Sequence, residues 1–102
     1  MKYLLISLLM ISSMASAANI KIDADEDDCI DGWISMDINV SVNGERFNFD
    51  PSCNFSFDDT IKTSSGMECR VEAGMCSSFS PQKRFEVTCD DGSSEEIPIK
   101  CK

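Results

Sequence analysis

The chain has 102 residues, 18 Asp and Glu against 9 Lys and Arg, six cysteines and no histidine. An acidic surface repels phosphate backbones and anionic lipid, so nucleic acids and membrane surfaces are poor partners, and a basic protein or a cation is a better one. Without histidine, the commonest general base and metal ligand is missing.

The first residues have the pattern of a secretory signal. Lys2 is a minimal basic region, residues 4–11 are apolar apart from Ser7, and Ala15-Ser16-Ala17 matches the small-x-small cleavage pattern. The apolar run is far shorter than the ~20 residues that span a bilayer. The expected division is therefore a cleaved signal over 1–17 and a single disulfide-rich domain over 18–102, secreted or periplasmic. Removing Lys2, the only charged residue of the signal, takes the formal charge from −9 to −10. The last tyrosine goes with it, since the one tyrosine is Tyr3.

All six cysteines, Cys29, Cys53, Cys69, Cys76, Cys89 and Cys101, lie in the exported part. An even count in a short exported chain predicts three disulfides, which a domain this small needs to supplement its core. Fifteen pairings are open. A short Cys69–Cys76 link is one candidate, and a Cys89–Cys101 bond is not expected. No C-x-x-C pair supports zinc.

In chain order, residues 18–32 begin as a short strand and become an acidic segment that can stay flexible. Asp23, Asp25, Asp27 and Asp31 fall at calcium-loop spacing, but Asp28 stands where the sharp turn needs glycine and Ile34 where the loop needs a bidentate acid. They are weak candidate metal ligands at best.

Residues 33–42 alternate strictly, with Ile34, Met36, Ile38, Val40 and Val42 on one side. This predicts a strand with one buried face. Asn43-Gly44 is the preferred pair for a two-residue type I′ turn. That turn sets Val42 opposite Glu45, Val40 opposite Phe47 and Ile38 opposite Phe49. Extending the register places Ile34 opposite Cys53, but Pro51 cannot donate to a ladder, so the strand bends, stops or runs along an edge there.

Cys53, Phe55 and Phe57 restart an alternation, residues 58–66 read as a connection, and residues 67–73 alternate again. Residues 77–84 form a second loop around Phe79 and Pro81. Phe85, Val87 and Cys89 then alternate up to a turn at 91–94. Ile97, Ile99 and Cys101 follow, in a register pairing Cys89 with Ile97, Val87 with Ile99 and Phe85 with Cys101. About six short antiparallel strands and no helical periodicity predict an all-β, disulfide-stapled small sandwich or barrel-like domain.

Asn39-Val40-Ser41 and Asn54-Phe55-Ser56 match the glycosylation pattern and matter only in a host that uses it. Trp33, on the polar side of its strand, and Phe79, beside the basic pair Lys83-Arg84, are the candidate interaction residues, since exposed aromatics anchor interfaces. The bland alternative is that Trp33 covers a sheet edge and Phe79 plugs the core.

Phe85-Glu86-Val87-Thr88-Cys89-Asp90-Asp91-Gly92 resembles a strand and turn of the C-type periplasmic lysozyme inhibitors. The resemblance covers eight residues. It implies an acidic, disulfide-linked β domain that blocks a basic enzyme, with charge complementarity speeding the encounter. The inhibitory loop of that family carries Ser and Tyr, and the exported chain has no tyrosine, so no residue role carries over.

Three functions are compatible with this pattern. The leading expectation is a non-enzymatic, exported binding module without a cofactor, inhibitor-like towards a basic protein. The second is a structural or calcium-binding envelope component. The third is a hydrolase using two carboxylates.

Overall fold

The computed structural model describes residues 17–76 and 81–101. They form an all-β domain of seven strands and no helix. Strands β1 (Ile20–Asp23), β2 (Ile38–Val42) and β3 (Glu45–Phe49) make one antiparallel sheet in the order β1-β2-β3. Strands β4 (Phe57–Lys62), β5 (Glu68–Ala73), β6 (Gln82–Cys89) and β7 (Ser94–Lys100) make a second antiparallel sheet in chain order. Each strand turns alternate side chains inward, and the inward sets of both sheets merge into one core. Phe49 of β3 meets Phe57 of β4 at 5.8 Å between ring centroids and Phe85 of β6 at 6.5 Å. These aromatic contacts join the two sheets.

The β2–β3 hairpin has the expected register, with Val42 opposite Glu45, Val40 opposite Phe47 and Ile38 opposite Phe49. Asn43 and Gly44 both take positive φ, 51° and 86°. That is what a type I′ turn demands, and asparagine and glycine enter this region at least cost. The register continues past the strand ends: Met36 N–H donates to the Pro51 carbonyl at 3.0 Å, and Cys53 N–H to the Ile34 carbonyl at 3.0 Å. Pro51 has no N–H to return the first of these bonds, so the ladder breaks there and survives only as an isolated Ser35–Ser52 bridge.

The 33–42 strand is thereby shortened to 38–42. Met36 is 2 % exposed but Ile34, two residues earlier on the same side, is 79 % exposed. The core ends between them.

Residues 58–62, expected as connection, belong to edge strand β4, and the loop is only 63–67. Asp59 shares the parity of Phe57 and Ile61 yet stays exposed. A charge turned towards the inner side of an edge strand discourages pairing with a further chain. Residues 82–84, also expected as loop, open β6.

The β6–β7 register is corrected as well. Phe85 lies opposite Ile97 and Lys83 opposite Ile99. The loop is Asp90-Asp91-Gly92, closed by Cys89 N–H donating to the Ser93 carbonyl at 2.8 Å. Gly92 takes a φ of 91°, and Asp91 accepts from both the N–H and the hydroxyl of Ser93. A three-residue loop ending in a left-handed glycine is a favoured hairpin connection.

The disulfides are Cys29–Cys53, Cys69–Cys89 and Cys76–Cys101. The short Cys69–Cys76 link is therefore not formed. Cys69 and Cys89 instead face each other across β5 and β6. The expected absence of a Cys89–Cys101 bond agrees with this pairing.

Candidate interaction surface

One end of the sandwich differs from the rest of the surface. Among the described residues the exposed large apolar side chains are Ile30, Trp33, Ile34, Phe55 and Met75. All five connect to Cys53. Ile30 follows Cys29, its disulfide partner. The Ile34 carbonyl accepts the Cys53 N–H, and Trp33 is the next residue. Phe55 lies two residues beyond Cys53, and Met75 precedes Cys76, whose N–H donates to the Cys53 carbonyl at 3.2 Å. Grouped exposed apolar side chains on a small soluble domain mark an interaction site more often than scattered ones do.

The backbone of this end is held firmly. Lys83 comes from inward-facing β6 and is 6 % exposed. Its Nζ donates to the Ser52 carbonyl at 2.8 Å and the Cys53 carbonyl at 3.3 Å. Burial pushes its amine below the usual lysine range. Lys83 is thus spent inside the fold and does not form an exposed basic pair with Arg84. Arg84 is exposed on the outer face of the second sheet, 3.7 Å from Glu96. Phe79 lies outside the described residues.

The acidic segment is shaped by turns: Ile30 and Asp31 N–H both donate to the Asp27 carbonyl, and Trp33 N–H to the Asp28 carbonyl. Lys100 of β7 fastens it, donating its N–H to the Glu26 carbonyl and placing Nζ 3.1 Å from Asp27 and 3.7 Å from Glu26. The hydrogen bond to Asp27, then the charges of Asp27 and Glu26, raise the Lys100 pKa. Of the candidate ligands Asp23, Asp25, Asp27 and Asp31, only Asp25 and Asp31 line a common groove. Asp23 ends β1 opposite Asn39, Asp25 caps the Asp27 N–H, and Asp27 is engaged by Lys100. Among the described residues no three His, Cys, Asp or Glu side chains are grouped to hold a metal ion.

Beside Trp33, a groove is lined by Asp25, Asp28, Asp31, Asp37 and Asp50. The end therefore carries several exposed apolar side chains beside an acidic groove.

The outer face of the second sheet is the competing surface. Asp58, Glu72, Glu86 and Glu96 stand directly opposite one another in one row across β4, β5, β6 and β7. Like charges so placed repel. Here, however, the chain supplies its own cations: Arg70 sits 2.9 Å from both Asp58 and Glu72, and Arg84 approaches Glu96. Two arginines thus offset half of the row's four carboxylates, and the row carries none of the five exposed large apolar side chains.

Sequence parity placed Trp33 outside, but it placed Ile34 inside and Phe55 on one side with Cys53 and Phe57, whereas Ile34 and Phe55 are both exposed. Met36, Pro51 and Cys53 of the 34–36 and 51–53 ribbon remain buried, and the core stops just beyond them, at Ile34 and Phe55. Asn54, one of the two glycosylation-pattern asparagines, is exposed beside Phe55, and Asn39 is exposed on β2.

No family model, curated protein or solved structure matches this chain.

Proposed function

We propose that this protein is an exported, non-enzymatic interaction module that docks its apolar end on a protein partner with a basic surface. The observation that carries the reading is the gathering of Ile30, Trp33, Ile34, Phe55 and Met75 around Cys53. Apolar anchors supply affinity, and the surrounding carboxylates select and steer a cationic partner. Export is supported by the signal-like residues 1–17 and by cysteines that are all oxidised among the described residues. An inhibitor-like role, occluding a basic enzyme, is the most specific form of this proposal.

The test is capture from an extracytoplasmic extract on the immobilised, oxidised protein, washed at rising salt. The expected result is a basic protein released as salt rises, because screening weakens exposed charge contacts. Retention of no protein at any salt would sink the proposal.

A further inference from the structure

We infer that the groove beside Trp33 receives a single arginine or lysine side chain of the partner, the indole packing on its cationic head and the aspartates balancing its charge. This rests on the interaction-module reading and names the contact that selects the partner.

The apolar end presents two aromatic rings that the fold leaves uncovered, Trp33 at 66 % and Phe55 at 70 % exposed, and of the two only Trp33 lines the acidic groove. Its backbone is fixed at both sides, by its own N–H bond to the Asp28 carbonyl and by the neighbouring Ile34 carbonyl, which accepts from Cys53. The ring is thus carried on a held segment. Preorganisation of this kind reduces the cost of binding.

Charge complementarity identifies the occupant. The described ion pairs engage Glu26, Asp27, Asp58, Glu68, Glu72 and Glu96. None of these ion pairs engages the groove's Asp25, Asp28, Asp31, Asp37 or Asp50, of which Asp25 accepts the Asp27 N–H and Asp37 the Asn48 side-chain amide. Glu26 and Asp27 of the same acidic segment share the single charge of Lys100, so the contrast arises within a few residues. The five carboxylates are not grouped for a metal ion. They fit an organic cation that also offers an apolar stem. A guanidinium or ammonium over an indole face, with carboxylates around it, has that chemistry. The stem would lie towards Met36, which lines the groove.

Trp33 is the only tryptophan, so intrinsic emission reports on this groove alone. The processed, oxidised protein is titrated at low salt with acetyl-Ala-Arg-Ala-amide and with the same peptide carrying uncharged citrulline. The arginine peptide is expected to change the emission saturably and to bind about fivefold or more tightly than the citrulline peptide, the range a cation–π contact plus nearby carboxylates supplies. Asp31→Asn with Asp50→Asn, checked for an unchanged far-ultraviolet spectrum, should narrow the difference between the two peptides. Equal binding of both peptides by the unmodified protein, or no emission change up to about 50 mM arginine peptide, well beyond the range of a useful side-chain contact, overturns the inference. A separate comparison isolates it from the parent reading. If Trp33→Leu keeps the captured partner while Phe55→Ser loses it, the groove contact is wrong and the apolar end still docks. If neither variant loses the partner, both readings fall.

Discussion

Replacing Cys29 and Cys53 together by alanine is expected to lower the unfolding free energy by about 2–5 kcal/mol and to abolish partner binding. The bond closes a loop with a sequence separation of 24. In the chain-entropy picture a loop of that size corresponds to about 3.5 kcal/mol of restriction on the unfolded chain. The native consequence is just as direct. Cys29 and Cys53 join the acidic segment to the segment leaving β3, and the other ties of the acidic segment are Lys100 and a few turn bonds. Without the bond, Ile30, Trp33 and Ile34 lose their fixed relation to Phe55. Denaturant unfolding followed by circular dichroism measures the first effect and capture of the partner the second. An unchanged midpoint would show that the bond contributes nothing to the fold.

Phe85→Ala is expected to be the most damaging single substitution in the core, at about 3–5 kcal/mol. Phe85 is fully buried, lies between Ala73 of β5 and Ile97 of β7, and touches the Phe49 ring across the sheets. Its small neighbour Ala73 cannot fill the space left. Since a domain of this size has on the order of 5–15 kcal/mol of net stability, the variant should unfold well below the denaturant midpoint of the parent. Phe85→Leu should cost markedly less, because it leaves a smaller cavity. Equal midpoints for the alanine and leucine variants would mean that Phe85 is not the joint between the sheets.

The parts of this fold that could be read from sequence were those governed by local rules. Asn43-Gly44 fixes a hairpin because two positive φ values are needed in succession, and the alternation on either side agrees with only one register. The β6–β7 hairpin shows where that reasoning stops. Pairings that differ by an even shift all keep the inward residues together, so parity could not separate Cys89 opposite Ile97 from the observed Cys89 opposite Ser93. The deciding facts were Asp91 capping Ser93 and Gly92 in the left-handed region.

Strand β4 was missed because Asp58, Asp59, Thr60 and Lys62 carry few strand-favouring side chains, as befits an edge. The disulfide pairing depends on contacts distant in sequence, so spacing could not choose it. The candidate surface was half legible. The exposure of Trp33 followed from parity. The exposure of Ile34 and Phe55 required knowing where the second sheet stops covering the first. Lys83 looked like a surface cation because its parity with Phe85 and Val87 was outweighed by its charge. The Ser52 and Cys53 carbonyls make its burial tolerable.

The measurement that most directly tests the central claim compares two surfaces of the same folded protein. Ile34→Ser with Phe55→Ser alters the apolar end, and Glu72→Gln with Glu86→Gln alters the acidic row on the outer face of the second sheet. Both pairs are exposed and should leave the unfolding midpoint nearly unchanged. The account predicts that binding of the captured basic partner falls at least tenfold, about 1.4 kcal/mol, in the first variant and less than about threefold, a rim-charge effect, in the second. Loss of binding in the outer-face variant, with the apolar-end variant unaffected, would contradict it.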